Sequence, residues 1–399
     1  MMLETWFIEI LKGIGKIFLQ PLLYWIIILY MITSYRRIKR ERRQFGSKVF
    51  DMFAEGKNTL GISLVFSIIV SIFSIGFGFV LSYEVIIVLF LVTLLLSVTG
   101  RLTVLSASYT LGMTFIIVII LQYSNIDIFS SYRIKEELAT IQYFSLATLT
   151  GLFLLIEALL VSSQLTKTFP RLSKSERGKW VGEHQLKRLA VIPFFALLPV
   201  DGTQGIIPIF PHFEVGDQYF SLILLPYIIG YQYFVQGELP HKIAKKLGQL
   251  TLLLSMIVLA LAIASLFYPL LTIFAIVVAI LGREWIMFRH RLQDRKKAAY
   301  FTPVNKGVKV LGIYPNSPAE RLGIDIGEII LKVNDEIVED TEQFYEALRN
   351  SGPYFKLDII DHQGEVRFLK GAFYEEDHYK LGLIFPEKPY FKNETNDKV

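Results

Sequence analysis

Residues 307–338 read GVKVLGIYPNSPAERLGIDIGEIILKVNDEIV, and the order of elements in this stretch decides what the last quarter of the chain is. Residues 307–314 form a β-branched, apolar run that predicts a strand. Pro315, Asn316, Ser317 and Pro318 make a turn, and Pro318 is placed to open a short helix over 319–322 that Gly323 closes. Residues 329–333 predict a second strand, ending in a turn at Asn334 and Asp335, residue types that tolerate left-handed backbone. Beyond this stretch, 341–350 predicts a helix capped by Thr341, with Phe344, Ala347 and Leu348 on one face. Strands at 355–361 and 365–370 flank a turn at Gln363 and Gly364. Together these make a complete small α+β unit.

Upstream, the composition changes class. The chain has 399 residues, 53% of them hydrophobic and only 19% charged, with a mean hydropathy of +0.46, too apolar for a soluble protein of this size. A helix needs about 20 apolar residues to cross a bilayer, and 17–35, 60–80, 102–121 and 141–161 qualify. Two further spans are expected at 84–99 and 220–235. The run 250–281 is too long for one crossing and carries Tyr268 and Pro269 near its middle, so it is either a tight hairpin or one kinked helix. Pro193, Pro199, Pro208 and Pro211 in 189–213 predict one span followed by an irregular or re-entrant loop. The expected total is eight or nine spans, with no cleaved signal peptide.

Lys and Arg are retained on the cytoplasmic side. The basic stretch Arg36, Arg37, Lys39, Arg40, Arg42 and Arg43, read as a loop, and the basic residues between 167 and 188 are therefore expected inside, as are Arg283 to Lys297 and the α+β unit behind them. The expected domains are a polytopic membrane unit over 1–281, a basic juxtamembrane helix over 282–300, the α+β unit over 301–388 and a disordered tail over 389–399. One ionisable residue lies inside an apolar run, Glu157 in LLIEALLVS. With no basic partner evident in a neighbouring span, it is either a proton or cation site or a hydrogen-bonded glutamate that fixes helix packing.

Enzyme chemistry finds little footing. Cysteine is absent, and the six histidines, His184, His212, His241, His290, His362 and His378, are scattered with no H-E-x-x-H pair. There is no room for a soluble Ser-His-Asp domain, and no phosphate-cradling glycine loop. No catalytic residue, metal or cofactor is expected, and no nucleic-acid partner. A secondary transporter or channel-like protein with a regulatory soluble domain is the alternative, since many spans, broken segments and a buried carboxylate suit one. The lack of an internal repeat argues against it.

The motif order of 307–338 resembles bacterial PDZ domains, and the likeness covers about 85 residues of the chain. Glu328 stands where that family usually has Asp, and Asp335 where it usually has Gly. No carboxylate-binding loop precedes Gly307, but the late segment Tyr379, Lys380, Leu381, Gly382, Leu383, Ile384, Phe385 fits that loop and its strand. The resemblance thus implies a permuted domain, a partly open antiparallel barrel with two helices. A peptide would add as a strand beside 383–385, amides around Leu381 and Gly382 with Lys380 would hold its carboxylate, and Phe344 and Leu348 would line the pocket. As a whole, the chain resembles the MinJ family of division-site topology proteins of rod-shaped Firmicutes. That likeness implies a non-enzymatic membrane adaptor at septa and poles, joining DivIVA to MinD and so placing MinC, the inhibitor of FtsZ assembly. Membrane lipids are the remaining expected partner.

Overall fold

The computed structural model describes residues 10–57, 59–123, 136–164, 168–175, 178–200, 213–215, 218–374 and 381–390. The longer helices of its first part include α1 Pro21–Phe45, α2 Leu60–Gly76, α3 Tyr83–Val98, α4 Ala107–Tyr123, α5 Glu136–Ser162, α6 Pro240–Ala264 and α7 Leu271–Lys296. Among the described residues three stretches, Ala139–Ser162, Pro240–Ala264 and Leu271–Lys296, are long and apolar enough to cross a membrane; a fourth crossing results if Ile10–Leu19 and α1, bent by 58°, are one span. Helices α2, α3 and α4 have 17, 16 and 17 residues, about 25 Å at 1.5 Å per residue, short of the roughly 30 Å hydrocarbon layer.

The basic stretch after the first apolar run is not a loop. Pro21 opens α1 and the helix continues to Gly46, whose φ of +77° ends it. Arg37 and Glu41 are buried. Arg37 pairs with Glu41 and, from the one-turn helix Ala54–Lys57, with Glu55, both at 2.8 Å, and donates to the carbonyls of Phe50 and Asp51. The charge that reads as a topology signal is also the centre of a buried polar network.

The run 250–281 is a hairpin: Lys246 Nζ reaches Gln293 Oε1 at 3.0 Å, and Gly282 lies against Leu254, so α6 and α7 run antiparallel. Helix α7 passes unbroken through residue 281 to Lys296, so the juxtamembrane helix expected at 282–300 is the end of this one. Helices α5 and α6 also pack antiparallel, through glycines. A Cβ on Gly151 would lie 2.7 Å from Leu259 Cγ, and one on Gly248 would lie 2.9 Å from the Ala158 carbonyl oxygen. Small residues let two backbones approach this closely.

Two expected spans are strands. Strands β1 Phe169–Lys174, β2 Trp180–Val200, β3 Phe213–Val215 and β4 Gln218–Val235 form an antiparallel sheet in the order β1-β2-β4-β3; residues 201–212, where the irregular loop was expected, lie outside the described residues. The β2–β4 ladder runs from His184↔Val235 to Val200↔Tyr219. The prolines that argue against regular structure are placed where they do no harm. On β2 the outward amides include those of Phe195 and Leu197, which donate to Ser71 Oγ and the Phe79 carbonyl. Pro193 and Pro199 share their parity, so the missing N–H costs no ladder bond. Pro226, opposite Pro193, shares parity with the outward residues of β4.

Bare strand edges are not tolerated in hydrocarbon, and here outward groups of β2 meet the backbone of 79–81 while several of β4 meet side chains. Outward carbonyls of β4 accept from Gln20 Nε2 (Leu224, 2.6 Å), Lys16 Nζ (Leu222, 3.4 Å) and Thr103 Oγ1 (Gln232, 3.3 Å), while His290 Nε2 sits 2.8 Å from that of Phe234. Both faces are buried as well: Ile192, Phe194, Leu222, Tyr227 and Ile228 are all at most 1% exposed. The apolar run that marks a buried strand also marks a spanning helix, and length alone favoured the helix. Gln20→Leu is expected to orphan the Leu224 carbonyl and destabilise the protein by about 1–3 kcal/mol, read as a lower midpoint for heat-induced loss of monodisperse protein in detergent.

The C-terminal unit contains β5 Val308–Lys309, β6 Gly312–Ile313, α8 Pro318–Arg321, β7 Ile329–Val333, β8 Glu336–Ile337, α9 Thr341–Asn350, β9 Tyr354–Ile360, β10 Val366–Ala372 and β11 Leu383–Ile384. One sheet has the order β10-β9-β7-β5 with β8 on β7; β11 pairs antiparallel with β6. Asn334 and Asp335, at φ +45° and +69°, make the tight β7–β8 turn. The cap of α9 is not Thr341 but Asp340, whose carboxylate accepts from the Gln343 amide at 2.8 Å: the cap residue needs extended backbone, and Asp340 has it while Thr341 is already helical.

This unit rests on the first. Val49, Leu172, Leu239, Phe301, Leu311 and Ile384 form one buried apolar cluster. The Gly182 amide donates to the Phe301 carbonyl at 2.8 Å, and the Tyr390 amide to that of Gln44 at 3.0 Å.

Candidate functional site

The β6–β11 pair defines an edge. The amides of Leu311 and Tyr314 donate to the carbonyls of Ile384 (2.7 Å) and Gly382 (2.9 Å), so the backbone groups of Leu383 between them point the other way, toward α9. Side chains alternate likewise: Leu383 and Phe385 enter the core of the C-terminal unit, whereas Ile384 enters the cluster against the membrane unit. Gly382 has φ +81°, and a Cβ there would lie 2.3 Å from that of Ser317, so only glycine fits this turn.

Of the residues singled out from sequence, Leu381, Gly382, Leu383, Phe385, Phe344 and Leu348 come together. Phe344 meets Phe385 edge to face at 5.3 Å between centroids. Phe344, Leu348 and Leu381 are buried in the core of the unit, so they form the floor beneath the edge. Tyr379 and Lys380 lie outside the described residues. The residue that sequence reasoning missed is Tyr345, between α9 and β11. Its Oη lies 3.5 Å from the Leu383 carbonyl oxygen, and its ring is 6.2 Å from that of Phe385. Burial pushes its phenol up to about 12, so it is a donor at neutral pH. The available signal was a tyrosine next to Phe344 at the margin of the apolar face of α9.

Glu157 is not without a basic partner. It is fully buried, pairs with Arg283 of α7 and accepts from Ser106 Oγ at 2.6 Å. Arg283, also fully buried, donates to Tyr233 Oη of β4, and its guanidinium lies 5.2 Å from that ring. Arg283 reads as the first of a basic cluster beyond the span, but continuation of α7 carries it inside the bundle. The group ties α5, α7 and β4 together. Among the described residues no group of three or more His, Cys, Asp or Glu could hold a metal ion.

The PDZ domain family matches residues 309–357. Over 381 residues, 95% of this chain and 96% of the relative, the chain is 33% identical to the cell division topological determinant MinJ of Bacillus subtilis (strain 168). Probable cell division topological determinants MinJ of Lacticaseibacillus paracasei and Lacticaseibacillus casei are each 29% identical over 97 residues, 24% of this chain and 26% of theirs.

Proposed function

Because the chain belongs to the MinJ family of cell-division topological determinants, we propose that it is a non-enzymatic membrane scaffold linking DivIVA, at poles and septa, to MinD and so to MinC. The observation that carries this reading is a relationship extending over 95% of the chain. Retention of Arg289, Arg291, Arg295, Lys296 and Lys297 on the inner side would put the PDZ domain in the cytoplasm, where these partners are. The membrane unit confines that domain to two dimensions and raises the effective concentration of several weak contacts.

At the groove, a peptide strand would add to the Leu383 edge, taking main-chain hydrogen bonds from Leu383 and Phe385 once Tyr345 swings aside. Tyr379, Lys380, Leu381 and Gly382 would hold a terminal carboxylate. Imaging a fluorescent fusion in a rod-shaped Gram-positive host, with and without DivIVA, tests the reading. Signal at septa and poles that disperses without DivIVA is expected. Uniform membrane signal in both strains would reject the scaffold. Normal partner recruitment by a folded Gly382→Val variant would reject the groove alone.

A further inference from the structure

Among the described residues, strand β10 ends its sheet, bonded to β9 on one side only. The Phe373 amide donates to the Pro353 carbonyl, and the Asp361 amide to that of Glu365. These bonds set the parity of the ladder: Arg367, Leu369 and Gly371 are bonded to β9, while the amides and carbonyls of Val366, Phe368 and Lys370 point outward. Among the described residues the seven-residue strand therefore presents an open edge, of the kind that proteins usually shorten, cover or charge.

The side chains of the outward-pointing residues share one face of the sheet. Val366 is 49% exposed and Phe368 62%. The cross-strand row Phe368↔Asp358↔Lys332↔Ile337 runs from Phe368 across the buried Asp358, 3.9 Å from Lys356, to Ile337, itself 68% exposed. Lys356 lies 5.1 Å over the Phe368 ring and is engaged by Asp335 at 3.1 Å. Lys332 and Lys370 have no acidic partner within salt-bridge distance among the described residues.

We propose that the β10 edge is a second docking site of the PDZ unit, for an extended segment of another protein that carries an acidic residue and, two and four residues away on the same face, two β-branched ones. Main-chain bonds to Val366, Phe368 and Lys370 provide affinity. An acid opposite Lys370 and apolar side chains opposite Phe368 and Val366 provide selectivity, since opposite charges facing each other across strands are favourable and like charges are not. A second copy of β10, VRFLKGA, contains no acid and would leave both Lys370 side chains unmatched. The site lies on a different sheet from the Leu383 groove and does not depend on it.

The test uses the full chain in phosphatidylcholine nanodiscs and a ten-residue threonine peptide in which three alternate central positions are valine, valine and glutamate, so that these three side chains share one face. The peptide is acetylated and amidated so that it offers no terminal carboxylate. Slowed hydrogen exchange at the Val366, Phe368 and Lys370 amides is expected. Lys370→Glu should weaken binding at least tenfold and favour instead the peptide in which lysine replaces that one glutamate. Phe368→Pro, which removes an outward N–H without touching the β9 ladder, should abolish binding. Unchanged exchange at these amides at millimolar peptide would overturn the proposal. So would protection confined to Leu383 and Phe385, or a peptide-independent dimer that Phe368→Pro dissolves.

Discussion

Arg283→Leu is expected to destabilise the membrane unit by about 3–5 kcal/mol, because removing one member of a buried ion pair leaves the other uncompensated. Glu157 would keep its bond from Ser106 but lose the guanidinium, in a place where neither residue has any exposure. Tyr233 would lose its donor in the same step. Glu157→Gln should lower stability as well, since it leaves Arg283 with no carboxylate. The double replacement Glu157→Leu with Arg283→Leu should recover most of the loss, because apolar side chains often replace a buried pair at little cost. Denaturant titration in mixed micelles measures all three. If Arg283→Leu matches the parent within about 1 kcal/mol, an order set by ordinary surface changes, the pair is not the clamp described here.

Gly248→Val should be nearly as damaging, at about 3 kcal/mol, the upper range of overpacking. A Cβ at 248 would lie 1.9 Å from Ser162 Oγ, which can rotate away, but also 2.9 Å from the Ala158 carbonyl, which cannot. Helices α5 and α6 would have to separate, and Glu157 is the residue before Ala158 on α5. Gly61, with open space around it, is the control: Gly61→Val should shift the midpoint of heat-induced aggregation far less. Equal shifts for the two would mean that the α5–α6 contact is looser than its geometry implies.

The small C-terminal unit was legible nearly element by element because each of its signals is local. Pro318 sits at the first position of α8 and Asn334 with Asp335 makes the turn; such conformations are set by one or two residues. The strand at the far end was legible through Gly382, whose required backbone no other residue adopts easily. The single misplaced cap, Thr341 for Asp340, is an error of one residue in a choice between two good capping types.

In the membrane unit, local signals were enough for most of the helices and misleading for the rest. Composition established that a bilayer holds the first part of the chain, and Pro269 marked the break between α6 and α7. Strands β2 and β4 escaped because an apolar run buried on both faces loses the alternation that marks a strand, and because proline is forbidden only where its nitrogen faces the ladder. Which edge Pro193 and Pro226 occupy is decided by pairing between distant residues. The partner of Glu157 depends likewise on α7 folding back beside α5, and the role of Tyr345 on a strand almost 40 residues later. Hydrophobicity and single-residue conformations were enough, without any knowledge of remote contacts, for an apolar, helix-rich membrane unit, a PDZ domain and the turn at Gly382. Only remote contacts could decide the β2–β4 ladder, the Glu157–Arg283 pair, the seating of the PDZ domain and the β10 edge, because each is set by which distant groups meet.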